Sequence, residues 1–534
     1  MSRVRPAVFS RRRALRLAGG AAVVAAGVTG CGALTKETTG RTLTTAARKP
    51  EPFRVPLPVP KEVTPVRGPG GADRFEVEQR EASVEIIPGL RTRIWGYDGT
   101  FPGPTFVARA DRRALLVVRN TLPVPTSTHL HGGVTPPDSD GYPTDLVVPV
   151  GGRAADWHPG GAHAGHGMDH GDGSGWTFHD GQRTYEYPLG QRAATLWYHD
   201  HRMDFSAPQV WRGLAGFFLV RDAEEEALPL PRGDRDVPLM LTDRSFAEDG
   251  SFRYPSLDPS LKGEPGVEEA YHSGVLGDVQ LVNGAPWPVL EVTATRYRLR
   301  LLNASNARRY RLALEQDGRR AAPLTQVGSD VGLLERPVEH DTVTLAPGER
   351  FDVVVDFSRF APGTALDLVN ELGEDGMDRV MRFRVARRAA DDSRVPDLLS
   401  RPPRIGRDQV VARRKFDFRL TDEGGDHGTW TVNGRPFAVG ETWARPRLDT
   451  VELWALSSDF HHPVHLHMAH FKVVSRSGKE PAATDAGWKD TVDVRPYETV
   501  EVLVRFAGHR GRYMLHCHNL EHEDMAMMAN FDVV

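Results

Sequence analysis

The sequence predicts an all-β protein made of three sandwich-sized blocks, and three observations lead there. Turn formers are abundant, with 53 Gly and 40 Pro among 534 residues, which suits many short strands better than a helical bundle. Short apolar-rich segments such as Ala114-Leu115-Leu116-Val117-Val118-Arg119-Asn120 alternate with Pro and Gly clusters at strand-and-turn spacing, and no long helical period interrupts them. The same grammar returns in Tyr297 to Asn303, in Arg350 to Phe357 and in Val500 to Phe506. A chain of this length holds roughly two to four domains.

Taken in order, residues 1–30 read as an export signal. Arg3, Arg5, Arg11, Arg12, Arg13 and Arg16 precede a short apolar run, Leu17 to Val28, that is too short to cross a bilayer. Ser10-Arg11-Arg12-Arg13-Ala14-Leu15-Arg16 resembles the twin-arginine signal. Val28-Thr29-Gly30-Cys31 resembles a bacterial lipoprotein cleavage box, which makes Cys31 a candidate lipid anchor. Both readings place the protein in the cell envelope or outside the cell. Residues 31–70 lack apolar periodicity and read as a flexible tether.

The first block is expected over 71–225, the second over 226–388 and the third over 416–534, with a linker at 389–415. Within the first, residues 151–182 are rich in Gly and carry His158, His163, His166, Met168, His170 and His179. They read as a loop insertion, either simply solvated or gathering copper through imidazole and thioether groups.

Losing residues 1–30 removes six arginines and no acids, so the formal charge moves from −4 to −10, which argues against a nucleic-acid partner. Two cysteines in an exported chain usually suggest a disulfide. Here Cys31 sits at a processing site and Cys517 lies between two histidines, so no disulfide is expected.

Four His-x-His units stand in the chain: His129/His131, His199/His201, His465/His467 and His516/His518. Chance supplies roughly one such pair, so four carry weight. On a strand, residues i and i+2 share a face, so each unit aims two imidazoles one way. Eight imidazoles suit copper or iron at redox work. Structural zinc needs only four ligands, and calcium or magnesium prefers carboxylates. His462, Cys517, His522 and Met527 add two imidazoles, a thiolate and a thioether, the donor set of a blue-copper site. Alternation along the strand sends Cys517 one way and His516 and His518 the other, so one strand joins two metal centres.

His129-Leu130-His131-Gly132, Trp197-Tyr198-His199-Asp200-His201, His462-Pro463-Val464-His465-Leu466-His467 and the run from His516 to Met527 resemble the four signatures of the multicopper oxidases. Gly132 to Gly141 and Gln191-Arg192-Ala193-Ala194 resemble the branch of bacterial spore-coat laccases and phenoxazinone synthases. The resemblance implies three cupredoxin-like Greek-key β-sandwich domains and four copper ions. It makes His462, Cys517 and His522 type 1 copper ligands with Met527 axial, Met525 and Met528 being competing candidates. It makes His129 and His465 type 2 ligands. For the type 3 pair it assigns His131, His199 and His518 to one ion and His201, His467 and His516 to the other. Asp140 and Glu523 match positions that deliver protons.

The implied activity is one-electron oxidation of phenols or aminophenols coupled to four-electron reduction of dioxygen to water. Partners are then dioxygen and a small aromatic donor, and a monomer suffices. A bilirubin oxidase-like activity and cuprous-ion oxidation in copper tolerance are alternatives, although the chain's 11 methionines form no Met-rich segment. A copper-free envelope scaffold is the non-enzymatic alternative, against which the full donor set argues. His461, His470, His272, His340, His427 and His509 lie outside the motifs and are expected to pack or face solvent.

Overall fold

The computed structural model describes residues 39–157, 175–422 and 428–534. Strands alternate as the sequence predicts: Gln182–Tyr187 runs exposed–buried throughout, and Asp73–Val84 begins the same way. Such strands cover three cores. In the first sandwich, one sheet holds Asp73–Val84, Ala114–Asn120 and Gln182–Tyr187; the facing sheet holds Thr105–Arg109, Ala215–Arg221, β2 (Ala194–Asp200) and, beside it, β1 (Thr128–His131). Phe75, Phe106, Leu116, Tyr185 and Phe218 fill the space between.

An eight-stranded and a six-stranded sheet form the second sandwich around Leu299, Leu312, Phe351, Val353 and Phe383. The third pairs a five-stranded sheet with a four-stranded one that contains β3 (His462–Leu466) and β4 (Gly511–Cys517). Its core includes Phe418, Trp454, Leu466, Val502 and Phe531.

β1, β2 and β3 are buried on both faces. One face of each packs into its own sandwich. Trp197 on β2 instead joins Phe217, Met240 and Leu302, which carries apolar packing from the first sandwich to the second.

Two sequence expectations are corrected. Over its described part, the segment read as a tether is a strap. Arg41–Thr42 pairs in parallel with Val275–Leu276, the Leu57 N–H donates to Val289 O at 2.8 Å, and Glu62–Val63 joins the first sandwich. Leu57 enters the second core. The strap needs no apolar periodicity, because main-chain hydrogen bonds and a few buried side chains hold it. The end of the 389–415 linker is also ordered, since a strand runs from Val410 to Thr421 in parallel with Val451–Ser458. Val411, Arg413, Lys415 and Arg419 take its exposed positions, and Arg414 at a half-buried one donates to Glu452, so the alternation does not show in a count of apolar residues.

Most of the His/Gly-rich insertion, with His158, His163, His166, Met168 and His170, lies outside the described residues, as do 1–38 and His427. His179 is described and lies 2.8 Å from Asp145 Oδ1.

Candidate metal centres

β1 and β2 are antiparallel neighbours with His129 opposite His199. β3 and β4 repeat the arrangement in the third sandwich with His465 opposite His516. The two strand pairs meet across the interface, so all eight imidazoles of the His-x-His units converge there, each buried. His129 Nε2 lies 3.4 Å from His465 Nε2. His467 Nε2 lies 3.2 Å from His201 Nε2 and 3.1 Å from His516 Nε2. His131 and His518 ring centres are 5.0 Å apart, and His199 and His518 are 5.3 Å apart.

In six of the eight rings the hydrogen bond of one nitrogen shows which atom faces inward. Nδ1 donates to a main-chain carbonyl in His129 (Asp140), His199 (Asp200), His465 (Asp490) and His516 (Cys517), at 2.7 to 3.0 Å. In His467 it donates to Asp140 Oδ2 at 2.6 Å. His131 is reversed: its Nε2 lies 3.1 Å from Asp490 Oδ1. An N–H given to oxygen leaves the lone pair on the other nitrogen, where a metal would bind. His131 Nδ1, His199 Nε2 and both nitrogens of His518 have no protein partner despite full burial. Burial first, then neighbouring histidines, pushes the basicity of His199, His201 and His518 far below the usual imidazole range, and His465 falls to about 4. Neutral, inward-facing lone pairs are what a metal cluster requires.

The second donor group is a triangle. Cys517 Sγ lies 3.3 Å from His462 Nδ1 and 3.7 Å from His522 Nδ1, and the two nitrogens are 3.1 Å apart. Each imidazole has its Nε2 held by oxygen, His462 by Asp459 at 3.4 Å and His522 by Ser273 O at 3.2 Å. Burial raises the Cys517 thiol well above its ordinary value, so the thiolate needs a metal to form. Met527 is fully buried in the same core as Cys517, and its carbonyl accepts from the Cys517 N–H. Met525 shares that core, whereas Met528 belongs to a separate cluster with Met203 and Met514. Two imidazoles and a thiol converging in one buried triangle fit copper.

Around the histidines the structure adds groups that no motif revealed. Asp490 accepts from Thr491 Oγ1 and from both terminal nitrogens of Arg350, a wholly buried residue of the second sandwich. It thereby orients His131 from behind. Gly348, at φ 85°, passes so close that a Cβ there would meet the His518 and His131 rings at 3.0 and 3.1 Å, so any other residue would be strained and would crowd the rings. The Glu523 carboxylate lies 3.2 Å from His201 Nδ1 and 3.1 Å from His516 Nδ1, without a well-formed hydrogen bond. Of the histidines outside the motifs, His470 bonds to Gly132 O and His340 to Gln326, as packed side chains do.

Comparison with known proteins agrees with this geometry. Two sequence-family profiles, both of multicopper oxidases, match residues 411–534 and residues 78–154 with 167–225. The laccase of Bacillus subtilis (strain 168) is 34% identical, covering 90% of this chain and 98% of its own. The bilirubin oxidase of Albifimbria verrucaria is also 34% identical, over 90% of this chain and 81% of its own. Among solved structures, the laccase from Pediococcus acidilactici Pa5930 superposes with a TM-score of 0.76 at 31% identity, covering 92% of this chain and 96% of that one. The sandwiches are therefore cupredoxin domains, the cofactor is copper, and the chain belongs to the multicopper oxidase family.

Proposed function

We propose that the protein is a laccase-like oxidase that takes single electrons from phenolic or aminophenolic donors and reduces dioxygen to water. The observation that carries this reading is the position of Cys517, whose sulfur completes the His462/His522 triangle while its chain neighbours His516 and His518 join the eight-histidine cluster. Bound copper would supply one-electron transfer at the first site and dioxygen binding at the second.

On this reading His462, Cys517, His522 and Met527 would hold the type 1 ion, which would supply one-electron transfer. His129 and His465 hold type 2. His131, His199 and His518, and His201, His467 and His516, hold the type 3 pair. The convergence of His201, His467 and His516 and the orphaned nitrogens of the other trio support that division. Asp140 and Glu523 pass protons toward the buried cluster, since each carboxylate lies within 3.2 Å of an outward imidazole nitrogen. Asp490 and the Asp140 carbonyl fix ring orientation.

A monomer suffices because one chain carries all twelve donors. Twin-arginine export and a lipid at Cys31 complete the proposal, on the motifs around Arg11, Arg12 and Cys31.

The test is anaerobic copper loading followed by the visible spectrum and by oxygen uptake with an aminophenol, a methoxyphenol and cuprous ion. An intense blue band with uptake driven by the organic donors is expected. Uptake with cuprous ion alone reassigns the chain to copper defence, and absence of the band overturns the type 1 assignment.

A further inference from the structure

The His522 imidazole is closed to solvent. It is 1% exposed, its Nε2 donates to Ser273 O at 3.2 Å, and Asn519 Nδ2 lies 3.3 Å from the same nitrogen. One face of the ring is covered by the Trp430 indole, stacked at a centroid distance of 3.7 Å and an interplanar angle of 25°. The indole also meets His462 edge-on at 5.5 Å, so it touches both imidazoles that converge on Cys517. Trp430 Nε1 donates to His272 O at 3.2 Å, which locks the ring in place. Phe460 packs edge-on against the indole at 5.7 Å and lies 6.5 Å from the His462 ring, and Phe460, Thr429, Tyr271 and His272 are all half-buried. The indole therefore bridges the half-buried Phe460 ring and the face of the His522 imidazole.

We infer that Trp430 is the electron-entry residue: a planar, electron-rich aromatic donor docks on the surface at Phe460, and its electron tunnels through the Trp430 indole to His522 and the type 1 copper. The inference rests on the laccase-like reading above. In each step the donor loses one electron and releases its phenolic proton to bulk water, and cupric ion takes the electron. Trp430 is unchanged, and dioxygen is the final oxidant. A stacked aromatic pair gives close overlap across the whole imidazole face, whereas the ring edge is occupied by the Ser273 carbonyl and the Asn519 amide.

The experiment uses the copper-loaded full chain and its Trp430→Leu and Trp430→Phe variants. Three quantities are read: the blue band of the oxidised protein with its midpoint potential, the rate at which a methoxyphenol bleaches that band under argon, and the rate at which dioxygen restores it. Trp430→Leu should slow bleaching by about tenfold or more. The band, the midpoint and the restoring rate should stay as in the parent. Trp430→Phe, which keeps an aromatic face on His522, should lose much less. Bleaching at the parent rate in Trp430→Leu overturns the inference. Loss of the band in both variants, or a midpoint shift large enough to account for the slower bleaching, also overturns it and leaves Trp430 a packing residue. If the parent protein shows the band but no methoxyphenol bleaches it, the donor reading itself falls, and the inference with it.

Discussion

Asp140 reaches the histidine cluster through two atoms: its carbonyl accepts from His129 Nδ1 at 2.7 Å and its carboxylate from His467 Nδ1 at 2.6 Å. Burial alone would raise this carboxyl, but His467 and His129 outweigh it and hold it well below the usual carboxylate range. Replacing it by Asn keeps the carbonyl contact and removes the ionisable group. Asp140→Asn and Glu523→Gln should each lower oxygen-uptake turnover by about 100-fold while leaving the blue band intact. Turnover equal to the parent across the pH range in both variants would remove proton delivery from these residues. Both acids were legible in the sequence because its resemblance to the multicopper oxidases pointed to their positions. Asp490 was not. It lies 25 residues beyond His465 with no motif around it, and only the pairing of His462–Leu466 with Thr491–Val494 brings it behind His131 and His465.

At the scale of elements, the strap from Thr39 to Val63 shows how order arises without a sequence pattern. Its contacts are main-chain bonds to Gly274, Leu276 and Val289, the Thr45–Asp278 contact, and the Lys49–Asp278 ion pair at 2.8 Å. Leu43, Ala47 and Leu57 supply the buried side chains. Each of these partners lies more than 200 residues away, and Thr105–Phe106, which pair with Glu62–Val63, lie 43 residues on, so no local window contains the information. Leu57→Ala should destabilise the protein by about 2 kcal/mol, read from the midpoint of denaturant unfolding, because it opens a cavity in the second core. An unchanged midpoint would show that the strap is held by its main chain alone.

For the whole molecule, the first two sandwiches are joined by a buried charge network. Arg300 donates to Asp236 at 2.7 Å, to Thr195 at 2.9 Å and to Glu225 at 3.2 Å; Arg298 donates to Glu225 at 3.0 Å and pairs with Asp352. Burial alone would raise Glu225 and Asp236, yet Arg298 and Arg300 hold both well below the ordinary carboxylate range. Carboxyls depressed in this way contribute fully above their unfolded values, near about pH 4.5, and the contribution is lost as pH falls toward their folded values. Thermal midpoints should therefore decline as pH drops below about 4.5, and the Glu225→Gln/Asp236→Asn double variant should show a shallower decline. An identical acid profile in the double variant would place the acid sensitivity elsewhere. At neutral pH Arg300→Met should cost about 3 kcal/mol, since the Arg300 hydrogen bonds to Asp236, Glu225 and Thr195 are lost while Arg221 and Arg298 still pair with the two carboxylates.

The sequence by itself determined the fold class and the metal, and it named the histidines and the cysteine that the structure brings together. Strand alternation repeats locally, and His-x-His on a strand dictates that two imidazoles share a face whatever the strand packs against. A thiol between two such imidazoles dictates that one strand serves two centres. The tertiary structure decided what depends on residues far apart in the chain. It set which strand pairs meet across the interface, which nitrogen of each ring turns inward, that Asp490 and Arg350 stand behind the cluster, and that Trp430 covers His522. Those outcomes follow from packing three cores against one another, and packing is set by contacts between residues hundreds of positions apart, which no local spacing encodes.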